Sequence, residues 1–311
     1  DYDMAIMKKG QDLTDVTTAI LTGMREILKK EKPDIVLVHG DTSTAFAASL
    51  AAFYQQIPVG HVEAGLRTYN MKSPYPEEFN RQAIGLTASL HFAPTQKAAD
   101  ALLKEGKDPE QIFVTGNTGI DALHYTVRND FYHPEIEWAK DSRLIAVTAH
   151  RRENLGEPMR DMFRAIRKIV EEFTDVKVIY PVHLNPQVRK IADEEFGGCD
   201  RIHLIEPLDV VEFHNLMKAS YLIMTDSGGI QEEAPALGKP VLVMRDTTER
   251  PEGVEAGTLK LAGTKMDDIY RECRKLLTER EIYRRMSEAR NPYGDGTASI
   301  KIRKILEDID A

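Results

Sequence analysis

The residues able to do chemistry in this 311-residue chain stand in short clusters, each just behind an apolar run. His39-Gly40-Asp41-Thr42 follows Ile35-Val36-Leu37-Val38. Asp41 there reads equally as a cap on the next helix, accepting its orphan N–H groups, or as an acid/base or hydroxyl-binding group. His61-Val62-Glu63-Ala64-Gly65-Leu66-Arg67 places a carboxylate in an apolar setting, where it must pair or change its pKa. Arg67 is the structural partner in one reading, and Glu63 is a catalytic carboxylate in the other. In Pro74-Tyr75-Pro76-Glu77-Glu78-Phe79-Asn80-Arg81, Glu77 and Arg81 are four apart and share a helix face, as an i,i+4 ion pair or as a positioned site.

A second group of clusters stands further along the chain. His150-Arg151-Arg152-Glu153-Asn154 suits an anionic group or a solvated turn. His183, in Tyr180-Pro181-Val182-His183, reads evenly as structural or catalytic. Thr225-Asp226-Ser227-Gly228-Gly229 leads into a helix holding Glu232 and Glu233. Its small residues let a ligand approach the backbone, and its carboxylates can accept ribose hydroxyls. Arg250, beside Pro251, is a candidate clamp for phosphate oxygens. No G-x-G-x-x-G, P-loop, G-x-S-x-G or metal-ligand spacing occurs in the sequence.

These clusters need elements that hold them at one level, and the apolar pattern supplies them. Strands expected at 35–38, 58–62, 90–93 and 112–115 alternate with helices at 13–30, 42–53, 77–87 and 96–105. After an irregular connection at 130–142, strands at 143–148, 177–181, 202–205, 221–225 and 240–244 alternate with helices at 158–172, 186–195, 209–218 and 229–237. Short buried strands alternating with helices imply an α/β fold with parallel sheets covered on both faces. Two such series imply two Rossmann-like domains facing a cleft, with ligands beyond the carboxyl ends of the strands. The expected domains are 1–129, joined by a C-terminal helix at 295–311, and 141–290.

Composition narrows the classes. With 41 Lys+Arg against 50 Asp+Glu the net charge is −9, which argues against a general nucleic-acid binder. Hydrophobic residues at 42% exclude a disordered chain. Cys199 and Cys273 are too few and too far apart for a disulfide framework or a cysteine zinc site, which suits a reducing cytoplasm. No apolar run approaches the ~20 residues of a membrane span.

The blocks HGDT, HVEAGLR, PEEFNR, GNT, TAHRREN, PVHLNP, TDSGGIQEE, GKPVLV and RDTTERPEG occur in that order over nearly the whole chain. Together they resemble the non-hydrolysing bacterial UDP-N-acetylglucosamine 2-epimerases. The resemblance implies a glycosyltransferase-B-type fold and interconversion of UDP-GlcNAc and UDP-ManNAc without metal or other cofactor. It implies Asp41, Glu63 and Glu77 as acid/base carboxylates, with Arg81 and His183 as essential helpers. Ser227, Gly228, Gly229, Glu233 and Arg250 would hold the UDP, and Phe213 would lie against the uracil. Arg67, His150 and Arg151 fall in blocks that in bacterial members help hold a second UDP-GlcNAc as activator. A cytoplasmic homodimer is implied as well, with no nucleic-acid or membrane partner. The family's opening strand and Gly-Thr-Arg-Pro-Glu-type loop have no counterpart here, so the chain is expected to start about one and a half βα units into the pattern. Rival readings are a UDP-sugar glycosyltransferase of the same architecture, a hydrolysing epimerase, and a non-catalytic nucleotide-sugar-binding regulator.

The implied chemistry accounts for the residue types. The hydrogen on sugar C2 is hardly acidic until loss of UDP builds oxocarbenium character at C1. A carboxylate then removes the C2 proton to leave a glycal. Return of a proton to the opposite face and re-addition of UDP complete the inversion. Two faces require two proton-handling groups, and the departing UDP requires stabilisation of its charge.

Overall fold

Runs of three to six residues rich in Val, Ile and Leu are too short for helices and form strands in the computed structural model, which describes residues 2–309. The chain divides into two units. The first comprises residues up to Thr118 together with those from Thr297 onward, and the second is Gly119–Gly296. Each contains a wholly parallel sheet, as expected of this α/β pattern.

In the first unit β1 (Val36–His39), β2 (Val59–Val62), β3 (Leu90–Ala93) and β4 (Ile112–Val114) lie in sequence order. Helix Ser43–Tyr54 turns Ala45, Ala48, Ala51 and Ala52 toward Leu28, Val38, Val59 and Ile84. Such small side chains let a helix sit close on a strand layer. Helix Gln96–Lys104 packs Ala98, Ala99 and Leu102 against Ala64, Leu66 and Ala93. Gly65 lies beneath that helix with φ +87°, and a Cβ there would stand 2.2 Å from the carbonyl oxygen of Ala98. Helix Ala298–Ile309 returns to this unit and sets Ile302 against Val62 and Phe92. The C-terminal helix expected at 295–311 thus begins at Ala298, and positions 310 and 311 lie outside the described residues.

In the second unit β5 (Arg143–Thr148), β6 (Val176–Pro181), β7 (Ile202–Ile205), β8 (Leu222–Thr225), β9 (Val241–Val243) and β10 (Leu259–Leu261) take the order β10-β9-β8-β5-β6-β7. The chain moves outward from β5 to β7, then restarts at β8 on the other side of β5. The crevice beyond the carboxyl ends of β5 and β8 is therefore a topological switch point. Helix Glu157–Glu172 covers one face through Met159, Met162, Phe163, Ile166 and Ile169, all fully buried.

Two expectations about the connection need correction. Residues 119–129, placed with the first domain on the sequence pattern, group with the second unit. Helix Thr118–Thr126 is the reason, because Ile120 and Leu123 pack with Tyr293 and Leu237. The stretch 130–142 is also part of that unit rather than a linker. It contains helix Pro134–Trp138, and Trp138 stacks on His203 at 3.5 Å between ring centroids. Among the described residues, no helix is long and apolar enough to cross a membrane.

Gly65→Ala combines an unfavourable backbone region with a backbone clash. Where an unstrained Gly→Ala change would stabilise by up to ~1 kcal/mol, this one should destabilise by more than that, seen as a lowered urea midpoint for the first unit. A midpoint equal to that of the parent chain would contradict this packing.

Candidate functional site

The turn after β1 is fixed from beneath. His61, 1% exposed on β2, donates from Nε2 to the carbonyl of Gly40 at 2.8 Å. Burial, only partly offset by that hydrogen bond, pushes its imidazole down to about 3, so the ring is neutral at ordinary pH. Gly40 has φ +69° and turns the chain so that Asp41 follows immediately. The helix is capped by Thr42, whose hydroxyl accepts from the amide of Ala45 at 3.1 Å. Asp41 is therefore not the cap, and its carboxylate is available to other groups. It takes Arg81 Nη2 at 2.5 Å, while Asn80 Nδ2 donates to its carbonyl at 2.8 Å.

Glu63 sits at the end of β2 with φ +65°, a left-handed conformation that costs a non-glycine residue about 1–3 kcal/mol. Its neighbours leave it no alternative. Val62 accepts from Gly40 N–H at 3.0 Å, and Ala64 N–H donates to Phe92 at 3.0 Å. The result aims the carboxylate over Gly40, where a Cβ would meet Oε2 at 3.5 Å. His39 Nε2 lies 3.7 Å from the same oxygen. The expected Glu63–Arg67 pair does not form. Arg67 instead grips Glu105 with Nε and Nη2 at 2.8 and 2.9 Å, and its side chain is 2% exposed.

Helix Glu77–Thr87 brings in the remaining groups. The i,i+4 pair of Glu77 with Arg81 is also absent, because Arg81 is drawn to Asp41 and to Glu78, the latter at 3.4 Å. Glu77 remains half-buried in the first turn, on the same face as Arg81 and without an ion-pair partner among the described residues. Asp41, Glu63 and Arg81 are thus gathered at the carboxyl ends of β1 and β2. Glu78 is the member that pattern reading missed, since two adjacent acids give no sign of which one turns inward.

The second unit presents its groups at the switch point. Asp226, fully buried behind β8, accepts the amides of His150 and Arg151, each at 3.0 Å through Oδ2, and Asn154 Nδ2 at 3.0 Å. One carboxylate therefore ties the loop after β5 to the loop after β8. The His150 and His183 rings stack with centroids 5.3 Å apart. Both line a cavity of about 450 Å³ together with Phe213, Leu184, Pro207 and Ile230. Asp226 escaped sequence reading because a loop aspartate carries no sign of burial.

Arg250 is buried rather than solvated, and pairs with Glu232 and with Glu249 at 2.8 Å. Its guanidinium covers Gly228, where a Cβ would stand 2.6 Å from Nη1. That close approach is why the position is glycine. Glu233 Oε2 lies 3.5 Å from His214 Nε2, and Ser227 N–H donates to Thr225 Oγ1 at 2.9 Å. Glu249 also receives Arg245 at 2.8 Å and Arg151 at 3.3 Å. Burial alone would raise the Glu249 carboxyl, but Arg250, Arg245 and Arg151 hold it down at about 2. This unit therefore offers an apolar slot, glycine backbone and a set of neutralised arginines, suited to a flat ring joined to an anionic group.

The model of the family described as UDP-N-acetylglucosamine 2-epimerase matches residues 1–307. The chain is 62% identical over 309 residues to the UDP-N-acetylglucosamine 2-epimerase of Bacillus subtilis (strain 168), covering 99% of this chain and 80% of that protein. It is similar to the crystal structure of UDP-GlcNAc 2-epimerase from Neisseria meningitidis bound to UDP-GlcNAc, with TM-score 0.94 and 47% identity over 99% of this chain and 85% of that one. It is equally similar to the S. aureus MnaA-UDP co-structure, with TM-score 0.94 and 54% identity over 96% of this chain and 81% of that one.

The depressed Glu249 pKa has a direct consequence. Its contribution to stability is complete above about pH 4.5, the ordinary carboxyl value, and is lost as pH falls through about 2. Glu249→Gln should cost about 3 kcal/mol at pH 7, since it leaves buried arginines under-neutralised. It should also flatten the stability profile between pH 4.5 and 2, as followed by denaturant titration at each pH. An unchanged acid limb would contradict this cluster.

Proposed function

The chain belongs to the UDP-N-acetylglucosamine 2-epimerase family, and from that premise we propose how its residues carry out the reversible C2 epimerisation of UDP-GlcNAc to UDP-ManNAc. The observation that carries the proposal is the gathering of Asp41, Glu63 and Arg81 where β1 and β2 end, with Glu77 on the Arg81 face of its helix and not ion-paired to it. The carboxylates handle the C2 proton on the two sugar faces. Cleavage of the C1–O bond sends its electron pair to UDP. The C2–H electrons then form the C1–C2 double bond of the glycal while a carboxylate takes the proton. Delivery of a proton to C2 from the other face and return of the UDP oxygen to C1 give the epimer. Atoms and charge balance without any further reagent.

The residues of the second unit hold the nucleotide throughout. Phe213 lies against the uracil, Glu233 accepts ribose hydroxyls, and Ser227, Gly228, Gly229 and Arg250 hold the diphosphate. Arg250 is shared between Glu232 and Glu249, so an arriving diphosphate would compete with carboxylates for a guanidinium already in place. His183, stacked with His150, assists the departing phosphate oxygen. The proposal extends to a cytoplasmic homodimer that binds a second UDP-GlcNAc as activator through His150 and Arg151. Arg67, enclosed by Glu105, holds its own loop within the first unit and is not given a ligand contact.

The test is proton NMR of the protein with UDP-GlcNAc in D₂O. UDP-ManNAc should form with deuterium at C2 and UDP still attached, and epimer without C2 deuterium would sink the mechanism. Glu77→Gln should slow turnover by the ~10²–10⁴ typical of losing an acid/base group, and near-normal turnover would remove Glu77 from proton transfer. Gly228→Ala forces its Cβ against Arg250. It should weaken UDP binding at least about tenfold by calorimetry, which corresponds to ~1.4 kcal/mol. Undiminished binding would place the diphosphate elsewhere.

A further inference from the structure

Glu78 is fully buried one residue into helix Glu77–Thr87, beside the proposed proton-handling acid but turned away from it. Both of its oxygens are occupied. Oε2 accepts the amide of Thr68 at 2.9 Å and Arg81 Nη1 at 3.4 Å. Oε1 accepts the amide of Tyr69 and the side-chain amide of Gln82, each at 2.9 Å. Burial alone would raise this carboxyl, yet the amides of Thr68 and Tyr69, Gln82 and Arg81 together lower it, so the group is ionised. Tyr69 is held at φ +57°, a conformation that needs such an anchor.

Two segments of the first unit meet at this side chain, and Arg81 links them to a third. Thr68 and Tyr69 belong to the segment leaving β2 just after Glu63. Gln82 and Arg81 belong to the helix that carries Glu77. Arg81 in turn reaches Asp41 behind β1 at 2.5 Å. A guanidinium shared by two carboxylates is fixed in plane and position, whereas one facing a single carboxylate can swing about that contact. Loss of charge at Glu78 would also leave two loop amides without an ionised acceptor in a dry site.

We infer that Glu78 is the positioning residue of the first unit: its buried carboxylate sets the Arg81 guanidinium against Asp41 and pins the loop behind Glu63, without touching substrate. This rests on the proposed use of Arg81 and Asp41 in epimerisation.

The test is Glu78→Gln, which keeps the volume and removes the charge. With UDP-GlcNAc as substrate, kcat should fall about 30- to 100-fold while KM and the affinity for UDP stay within threefold. In protein labelled with ¹⁵N-arginine, the Arg81 Nε–H resonance, identified by its loss in Arg81→Lys, should shift or broaden in Glu78→Gln. A kcat within threefold of the parent, or a fallen kcat with an unmoved Arg81 resonance, would overturn the inference. Should Glu78→Gln not fold, Gln82→Leu removes a single donor to the same carboxylate. It should lower kcat three- to tenfold and move the Arg81 resonance, and no change in either measure would count against Glu78. The resonance is read without turnover. A parent chain that does not epimerise would therefore defeat the proposed function, while the Arg81 shift still decides the role of Glu78.

Discussion

The guanidinium of Arg81, held between Asp41 and Glu78, is the contact on which the first unit's chemistry depends. Arg81 and Glu78 have almost no access to water, so neither can be left unpaired without a cost of several kcal/mol. Asp41 is thereby fixed although it stands behind a glycine turn, and Glu77 is left out of the pairing although it stands four residues from an arginine. Strain enters at the neighbouring point, where Glu63 is driven into a left-handed conformation by hydrogen bonds on either side. A short sheet with a dry lower face and an ionised upper rim meets both demands at once.

The second unit applies the same rule with the signs redistributed. Asp226 accepts mostly from backbone amides, and it joins two loops at the strand reversal. Glu249 is an anion among three arginines. Each arginine is thus neutralised before any ligand arrives, which limits the repulsion among like charges packed close together. A glycine beneath one guanidinium keeps the stack thin.

The strands up to β9 and the helices between them were legible in the sequence to within a residue or two, because buried parallel strands are short apolar runs and their helices carry a separate period, whereas the three-residue edge strand β10 and helix Pro251–Ala256 before it were not. Strand 143–148 and helix 77–87 match their expected limits. The connection was not legible. Helix Thr118–Thr126 joins the second unit through contacts with Tyr293, far away in sequence, and no local pattern records such a contact. For the site, spacing located the clusters but not the pairings. Asp41, Glu63 and Glu77 each had a structural role to hand close by in sequence, and in every case a different group (Thr42 as cap, Glu105 on Arg67, Glu78 on Arg81) took that role. At Gly228 the sequence suggested a ligand against the backbone, whereas the group found there is the Arg250 guanidinium, which no local pattern announces.

The return of helix Ala298–Ile309 to the first unit bears on the order of events during synthesis. Val62 and Phe92 are translated some two hundred residues ahead of their cover, Ile302. The last residue of the second unit, Gly119–Gly296, precedes that cover along the chain, so the second unit has its whole sequence made while the first still lacks a part of its core. The later domain on the gene is therefore the earlier one able to finish.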